Sequence, residues 1–345
     1  MSIRVRRSEI LDSDRDLLIT LYRRHLAADY AEERFDWLYQ RGPHGQAFAW
    51  IASDSANGEP IGAAAAFPRK VYCHGQAKLG FVLGDFCMNE KYRSLGPSLQ
   101  LQRACVEAAR LDPFEFFYDF PSTAMMAVYK RLGVAQTCSL VRWVKLLRME
   151  TKLQPLVRSK TISKVVSTAA NAVLAQVGWK GDENACELEL LQGPCSEEFT
   201  HFDGQVQARV GIQTARTTAY LNWRYLDPAA PKHLILTARR QGALVGYVVY
   251  THRCDDGYIV DLNSLDEPAV IARMLAGAVQ NLGRAGVSAV NLHAADVHPW
   301  NTILQRAGFR KRENSPVVAY SRQETGVSSL GFQNKWYAMS GERDS

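Results

Sequence analysis

Six residues, Arg93-Ser94-Leu95-Gly96-Pro97-Ser98, stand between an alternating apolar segment (Leu79 to Met88) and a helical one (Leu99 to Leu111). A strand that turns through an Arg- and Gly-containing loop into a helix start leaves backbone N–H groups unpaired. It also presents the positive end of the helix dipole, which together make a seat for a pyrophosphate. Pro97 suits the first turn of a helix, although it brings no N–H of its own. Upstream, Asp85 interrupts a run built of Leu83, Phe86 and Met88, where a carboxylate is costly unless it has a task or a partner such as Arg93. Asp119 closes the next apolar run, Phe117-Tyr118-Asp119-Phe120-Pro121. Together these residues suit a nucleotide-type cofactor held beside a group that moves protons. The competing reading is a basic turn that caps a helix, with Asp85 in a salt bridge and Asp119 in a structural role.

These residues need a scaffold, and 345 residues at roughly 150 per domain suggest two lobes. Hydrophobic content of 47% and charged content of 22% are those of a globular chain with a sizeable core. No uninterrupted apolar run reaches the roughly 18 to 20 residues of a bilayer span, and the N-terminus leads into charge rather than a signal core. A cytoplasmic location is expected, with the ends of the chain the places for disorder. Seven cysteines without a Cys-x-x-Cys pair read as reduced, mostly buried thiols. The net charge of +6 favours anionic ligands in general and gives no ground for expecting nucleic acid.

The first lobe begins with a helix capped by Ser13, whose stripe is Leu17, Leu18, Leu21, Tyr22 and Leu26. A short helix, Glu32 to Tyr39, follows. Ala47–Ala52, Pro60–Phe67, Lys70–His74 and Leu79–Met88 read as successive strands. Beyond the turn come an amphipathic helix, a strand Phe114–Phe120, a helix Ser122–Leu132 ending at Gly133, and a strand Thr137–Leu147. Residues 150–185 then form a basic amphipathic connector in which Lys152, Arg158, Lys160, Lys164 and Lys180 punctuate apolar positions. It is read first as a linker helix packed between lobes and second as a helix lying on an acidic membrane surface.

The remainder repeats the first lobe. Trp223-Arg224-Tyr225 echoes Trp37-Leu38-Tyr39, Gly246 echoes Gly62, and Leu304 to Phe309 echoes Tyr129 to Val134. Where the first lobe has its Arg/Gly turn, the second has Asp266-Glu267-Pro268, whose carboxylates satisfy the helix dipole and repel a phosphate. The expected class is therefore α/β, in the α+β sense of a mixed, mostly antiparallel sheet flanked by helices in each of two lobes. The boundaries are 1–149 for the cofactor lobe, 150–185 for the connector, 186–325 for a degenerate second lobe and 326–345 for a tail.

The spacing of Arg93, Gly96 and Ser98 resembles the Arg/Gln-x-x-Gly-x-Gly/Ala loop of the GNAT N-acetyltransferase superfamily, with Ser98 where the family has Gly or Ala. The order of elements matches that fold as well, so the chain resembles tandem GNAT-like lobes. The resemblance implies an acyl-CoA co-substrate, most simply acetyl-CoA, with its pyrophosphate on Arg93, Ser94, Leu95, Gly96 and Ser98. It implies that backbone N–H groups around Phe86, Cys87 and Met88 polarise the thioester oxygen. Ser122 occupies the place of a family Asn that contacts the cofactor. Tyr129, four residues before Gly133, matches the family tyrosine that protonates the departing thiolate, a plausible exchange between a phenol near pKa 10 and a thiol near 8.5. Asp85 and Asp119 are the candidates for general base.

By analogy with such tandem proteins, the amine acceptor is expected to be an amino sugar of surface polysaccharide synthesis. Two other readings keep the fold: a Fem-like aminoacyl or peptidyltransferase, and a catalytically silent scaffold subunit of a polysaccharide assembly complex. His293, Asp296 and His298 match no strong zinc spacing, and no metal is expected. Trp223, Trp300 and Trp336 are read as core aromatics before sugar-stacking ones.

Overall fold

Three apolar runs pair as an antiparallel meander: β2 (Phe48–Asp54), β3 (Pro60–Cys73) and β4 (Gln76–Met88). They belong to a computed structural model that describes residues 2–8, 11–108, 114–148, 181–208, 211–265, 267–321 and 336–343. A strand not expected from the sequence, β1 (Ile3–Arg7), pairs with β2 at the sheet edge. Where two strands were expected before and after Pro68, β3 is continuous. Proline is tolerated because Pro68 lies between the stretch of β3 that pairs with β2 and the stretch that pairs with β8 (Ile212–Thr214), a point with no neighbour on that side.

Helix α1 (Leu11–His25) begins before Ser13, so that residue is not its cap; Asp12 and Asp14 in the first turn and Arg23, Arg24 and His25 in the last complement the dipole. Helix α2 (Glu32–Phe35) runs into a π turn, Asp36–Gln40. Helix α3 (Leu95–Ala108) starts four residues before the expected Leu99. Strand β5 (Phe116–Asp119), helix α4 (Thr123–Arg131) and strand β6 (Gln136–Leu146) complete the first half.

The second half supplies β7 (Glu187–Leu190), α5 (Glu198–Gln207), β8, and α6 (Thr218–Leu221), which runs into a π turn Asn222–Leu226. There follow β9 (Leu234–Arg240), β10 (Ala243–Arg253), β11 (Asp256–Ser264) and α7 (Pro268–Arg284). Strand β12 (Ala289–Ala295), α8 (Asn301–Arg306) and β13 (Arg310–Ser321) close it. The expected connector lies almost wholly outside the described residues, so neither of its readings meets a structural observation.

All strands form one sheet, ordered β1-β2-β3-β4-β5-β13-β6-β12-β11-β10-β9-β7, with β8 alongside β3. The two halves exchange their last strands. Strand β13 pairs with β5 of the first half, β6 pairs with β12 of the second, and β6 and β13 pair with each other at the centre. The Trp37 and Trp223 segments, which echo each other in sequence, meet in space. Trp37 Nε1 donates to the Trp223 carbonyl at 2.7 Å, and Trp223 Nε1 returns a bond to the Trp37 carbonyl at 2.9 Å.

Alternation along the strands separates two apolar faces. Ala49, Ile51, Ala63, Ala65 and Val82 face α1 and α2, whereas Trp50, Ala52, Ala64, Phe81 and Leu83 face α3. The expected C-terminal tail is not a tail in its described part: Trp336, Tyr337, Ala338 and Met339 are buried in the α1–α2 cluster. Trp223 and Trp300 are buried too, so the three tryptophans fill the core.

Candidate acyl-CoA site

Parallel pairing of β4 with β5 ends at Val82 and Tyr118, and β5 stops one residue later while β4 continues to Met88. The edge of β4 that faces away from β3 is left without a strand neighbour from Leu83 onward. Within that stretch the register on β3 slips: Ala65 faces Gly84 and Ala63 faces Cys87, so Asp85 and Phe86 together oppose Ala64. This is a β-bulge, and Asp85 takes a φ of +46°, in the left-handed region that non-glycine residues rarely adopt.

A cavity of about 650 Å³ passes through the sheet at this gap. Leu26, Ala27, Tyr30 and Arg34 wall it on the α1–α2 side, and Gln102, Ser122 and Met125 on the α3–α4 side. Asp85, Phe86, Asp119 and Phe120 line its waist. A concave, largely apolar space with a few converging polar groups is the expected form of a small-molecule site.

The two carboxylates are held differently. Asp85 is buried and accepts from Tyr30 Oη at 2.9 Å, Tyr39 Oη at 3.0 Å and Arg34 Nη2 at 3.2 Å. Its partner is therefore Arg34; the Arg93 pairing considered from the sequence does not form, because Arg93 donates to the carbonyls of Met88 and His25. Burial raises the Asp85 pKa against the pull of Arg34 and the two hydroxyls. Asp119, on the opposite face, accepts from the Phe120 N–H at 2.7 Å and from Tyr129 Oη at 2.6 Å. Burial pushes its pKa up to about 6.

Tyr129 itself is buried and does not line the cavity. Its hydroxyl donates to Asp119 and accepts from Gln102 Nε2 at 2.7 Å, so it reaches the cavity through those two lining residues. Ser122 caps α4, its Oγ accepting from the Met125 N–H at 3.2 Å, and lines the cavity as well. Cys87 and Met88 are buried beside the bulge without lining the space; burial pushes the Cys87 thiol up to about 12, which keeps it protonated.

The turn expected to hold a pyrophosphate lies outside the cavity, and none of Arg93, Ser94, Leu95, Gly96 or Ser98 lines it. Among the described residues the Leu95 and Gly96 N–H groups have no protein acceptor. A Cβ on Gly96 would meet nothing within 4 Å, so the space beside these amides is open. From Gly96 to Gln102 on the cavity wall, α3 advances about 9 Å at 1.5 Å per residue.

The second half repeats the gap. Parallel pairing of β11 with β12 ends at Ile259 and Leu292, and Asp261 accepts from Tyr225 Oη at 3.0 Å, as Asp85 does from Tyr39. Here the chain's own C-terminal segment occupies the place: Met339 bridges Ala294 of β12, and Gly341 packs on Val260 of β11 so closely that a Cβ would lie 2.9 Å from its carbonyl. The same segment delivers Arg343 to the wall of the first cavity. Sequence reasoning missed Arg343, Arg34, Tyr30 and Gln102. The four-residue spacing of Tyr30 and Arg34 before the Trp37 turn was the one signal available for them.

Neither a family model nor a curated protein matches the sequence. Solved structures do match by shape. A GCN5-related N-acetyltransferase of Anabaena variabilis has a TM-score of 0.66 at 12% identity, over 92% of this chain and 73% of that one. A protein of Enterococcus faecalis V583 titled a probable N-acyltransferase has a TM-score of 0.67 at 14% identity, over 94% and 73%. N-Myristoyltransferase of Saccharomyces cerevisiae, solved with bound myristoyl-CoA, has a TM-score of 0.58 at 11% identity, over 93% and 79%. Shape matches at such low identity show that this chain shares the fold of these N-acyltransferase structures.

Proposed function

We propose that the protein is an acyl-CoA-dependent N-acyltransferase whose reaction takes place in the β4–β5 gap. The observation that carries this reading is the through-sheet cavity at the Asp85 bulge, with a carboxylate of pKa about 6, Asp119, in its wall. The acyl donor enters from the α3–α4 side, with its diphosphate on the free amides at Leu95 and Gly96 and its pantetheine arm along β4. The backbone at the bulge, where Phe86 lines the cavity, supplies the N–H that polarises the thioester carbonyl. The amine enters from the α1–α2 side and forms the C–N bond as the C–S bond breaks. Asp119 takes the proton from nitrogen and delivers it to the thiolate. Tyr129 and Gln102 fix the Asp119 carboxylate, and Asp85, engaged by three donors, holds the α1–α2 loop against the gap.

N-Acyltransferases among the structural neighbours support this reading, as does the filling of the second gap by the chain itself, which leaves the first for ligands. Its test is thermal shift with acetyl-CoA and longer acyl-CoAs, since a ligand of the native state raises stability by mass action. Gly96→Asp should abolish the shift through charge alone, because the site has room for the side chain. A screen of amines for coenzyme thiol release, with amino sugars as one arm, then identifies the acceptor. No shift with any acyl-CoA would leave the silent-scaffold reading in place.

A further inference from the structure

The segment that fills the second gap also builds part of the first site. Glu342 pairs with Arg216 at 3.2 Å, and Arg216 is itself paired with Asp261 at 2.9 Å. Arg224 donates to the carbonyls of Gly341, at 2.7 Å, and Arg343. The backbone at Arg343 is thereby fixed, and the residue lines the cavity. Arg343 Nε is buried with no hydrogen-bond partner; the guanidinium faces the Phe120 ring, 6.0 Å away, and is attracted by the Asp119 carboxylate. Arg34, the other cation of the wall, is engaged by Asp85. Among the described residues, Arg343 is thus a cation of this wall that feels the charge of Asp119 but whose Nε makes no hydrogen bond.

Its position and surroundings narrow what it can bind. The segment that carries Arg343 belongs to the α1–α2 face, opposite the turn at the start of α3, and so to the side assigned to the acceptor. The wall also contains Asp29, Asp85 and Asp119. A dianionic phosphate would meet these carboxylates with the Arg343 guanidinium, already drawn toward Asp119, to offset them. A singly charged carboxylate carried on the same molecule as an ammonium matches both signs.

We propose that the acceptor is a zwitterionic amine, an amino acid or short peptide, whose carboxylate pairs with Arg343. The proposal rests on the acyl-transfer reading for the acceptor's role, but its binding test does not. Matched series of an amino acid, its amide and its decarboxylated amine, such as phenylalanine, phenylalaninamide and phenethylamine, are titrated calorimetrically into the full chain without acyl-CoA. Glucosamine and glucosamine 6-phosphate serve as further arms. The expected result is at least tenfold tighter binding of the carboxylated member, a ratio that falls to near one in Arg343→Gln and survives in part in Arg343→Lys. A ratio is insensitive to the fraction of folded protein, so partial unfolding of a variant does not mimic the effect. Equal affinities across a series, a ratio unchanged in Arg343→Gln, a preference for the sugar phosphate, or no binding at all would overturn the proposal. Zwitterion binding without coenzyme thiol release would uphold it and count against acyl transfer.

Discussion

Replacing Asp119 with Asn should stabilise the protein at alkaline pH and cripple it as a catalyst. In the folded chain burial holds the Asp119 pKa near 6, against an ordinary value of 3.8. The folded state therefore binds the proton more tightly than the unfolded one, so the group's favourable contribution is present at low pH and fades as pH rises through 6. At 1.36 kcal/mol for each tenfold difference, that gap is worth about 3 kcal/mol in full, and about half of it develops between pH 5 and pH 8. Asn cannot ionise and escapes the loss. It accepts one hydrogen bond fewer in place of the two that Asp119 takes from Phe120 and Tyr129, a roughly constant cost of about 1 kcal/mol. Urea unfolding of both proteins from pH 5 to pH 8 reads the difference, in which the other titrating groups cancel. The variant's relative stability should climb by about 1.5 kcal/mol across that range. A flat or falling difference would show that burial does not govern this carboxyl, and would remove the basis for its proton-handling role.

The same pKa sets the rate profile: kcat/KM should rise through pH 6 to a plateau, and Asp119→Asn should lower the plateau by about 10²–10⁴-fold, measured by coenzyme thiol release. Trp37→Phe should leave the buried Trp223 carbonyl without its donor and cost about 1–3 kcal/mol, with Trp223→Phe costing the same; the double variant should cost less than the sum, read by denaturant titration. Arg216→Gln should destabilise by about 3–5 kcal/mol, because Asp261 and Glu342 are buried against it; a loss under 1 kcal/mol would show the network to be dispensable. Gly80→Ala should cost about 1–3 kcal/mol in melting experiments, since a Cβ there lies 2.6 Å from the Phe116 carbonyl and must push β5 away from β4.

Period and punctuation made most of the elements readable. Alternation found the meander, β6 and the second-half strands, and the two Trp-x-Tyr segments that echo each other in sequence meet through reciprocal indole–carbonyl bonds. Asp85 was conspicuous as a carboxylate among apolar residues, yet its positive φ and its three donors depend on a register slip that no local pattern encodes. Arg93 sat nearer in sequence than Arg34, but the chain folds Tyr30 and Arg34 over the bulge and spends Arg93 on carbonyls. Arg343 was illegible for a simpler reason. A polar, charged stretch following 321 looks solvated, and only contacts with Arg216 and Arg224, more than a hundred residues away, bury it.

Swapped closing strands tie the order of assembly to the order of synthesis. Asp119 waits for Val318 before its strand gains the neighbour that covers its flank, and Leu140 waits for Ala295 and Ser315. Until the ribosome has delivered β13, some two hundred residues on, β5 exposes an unsatisfied edge of Phe116, Phe117 and Tyr118, a template for mispairing with a sister molecule. Separate expression of 1–149 and 186–345 should accordingly give sticky fragments that regain solubility when made together, each supplying the ribbon the other lacks.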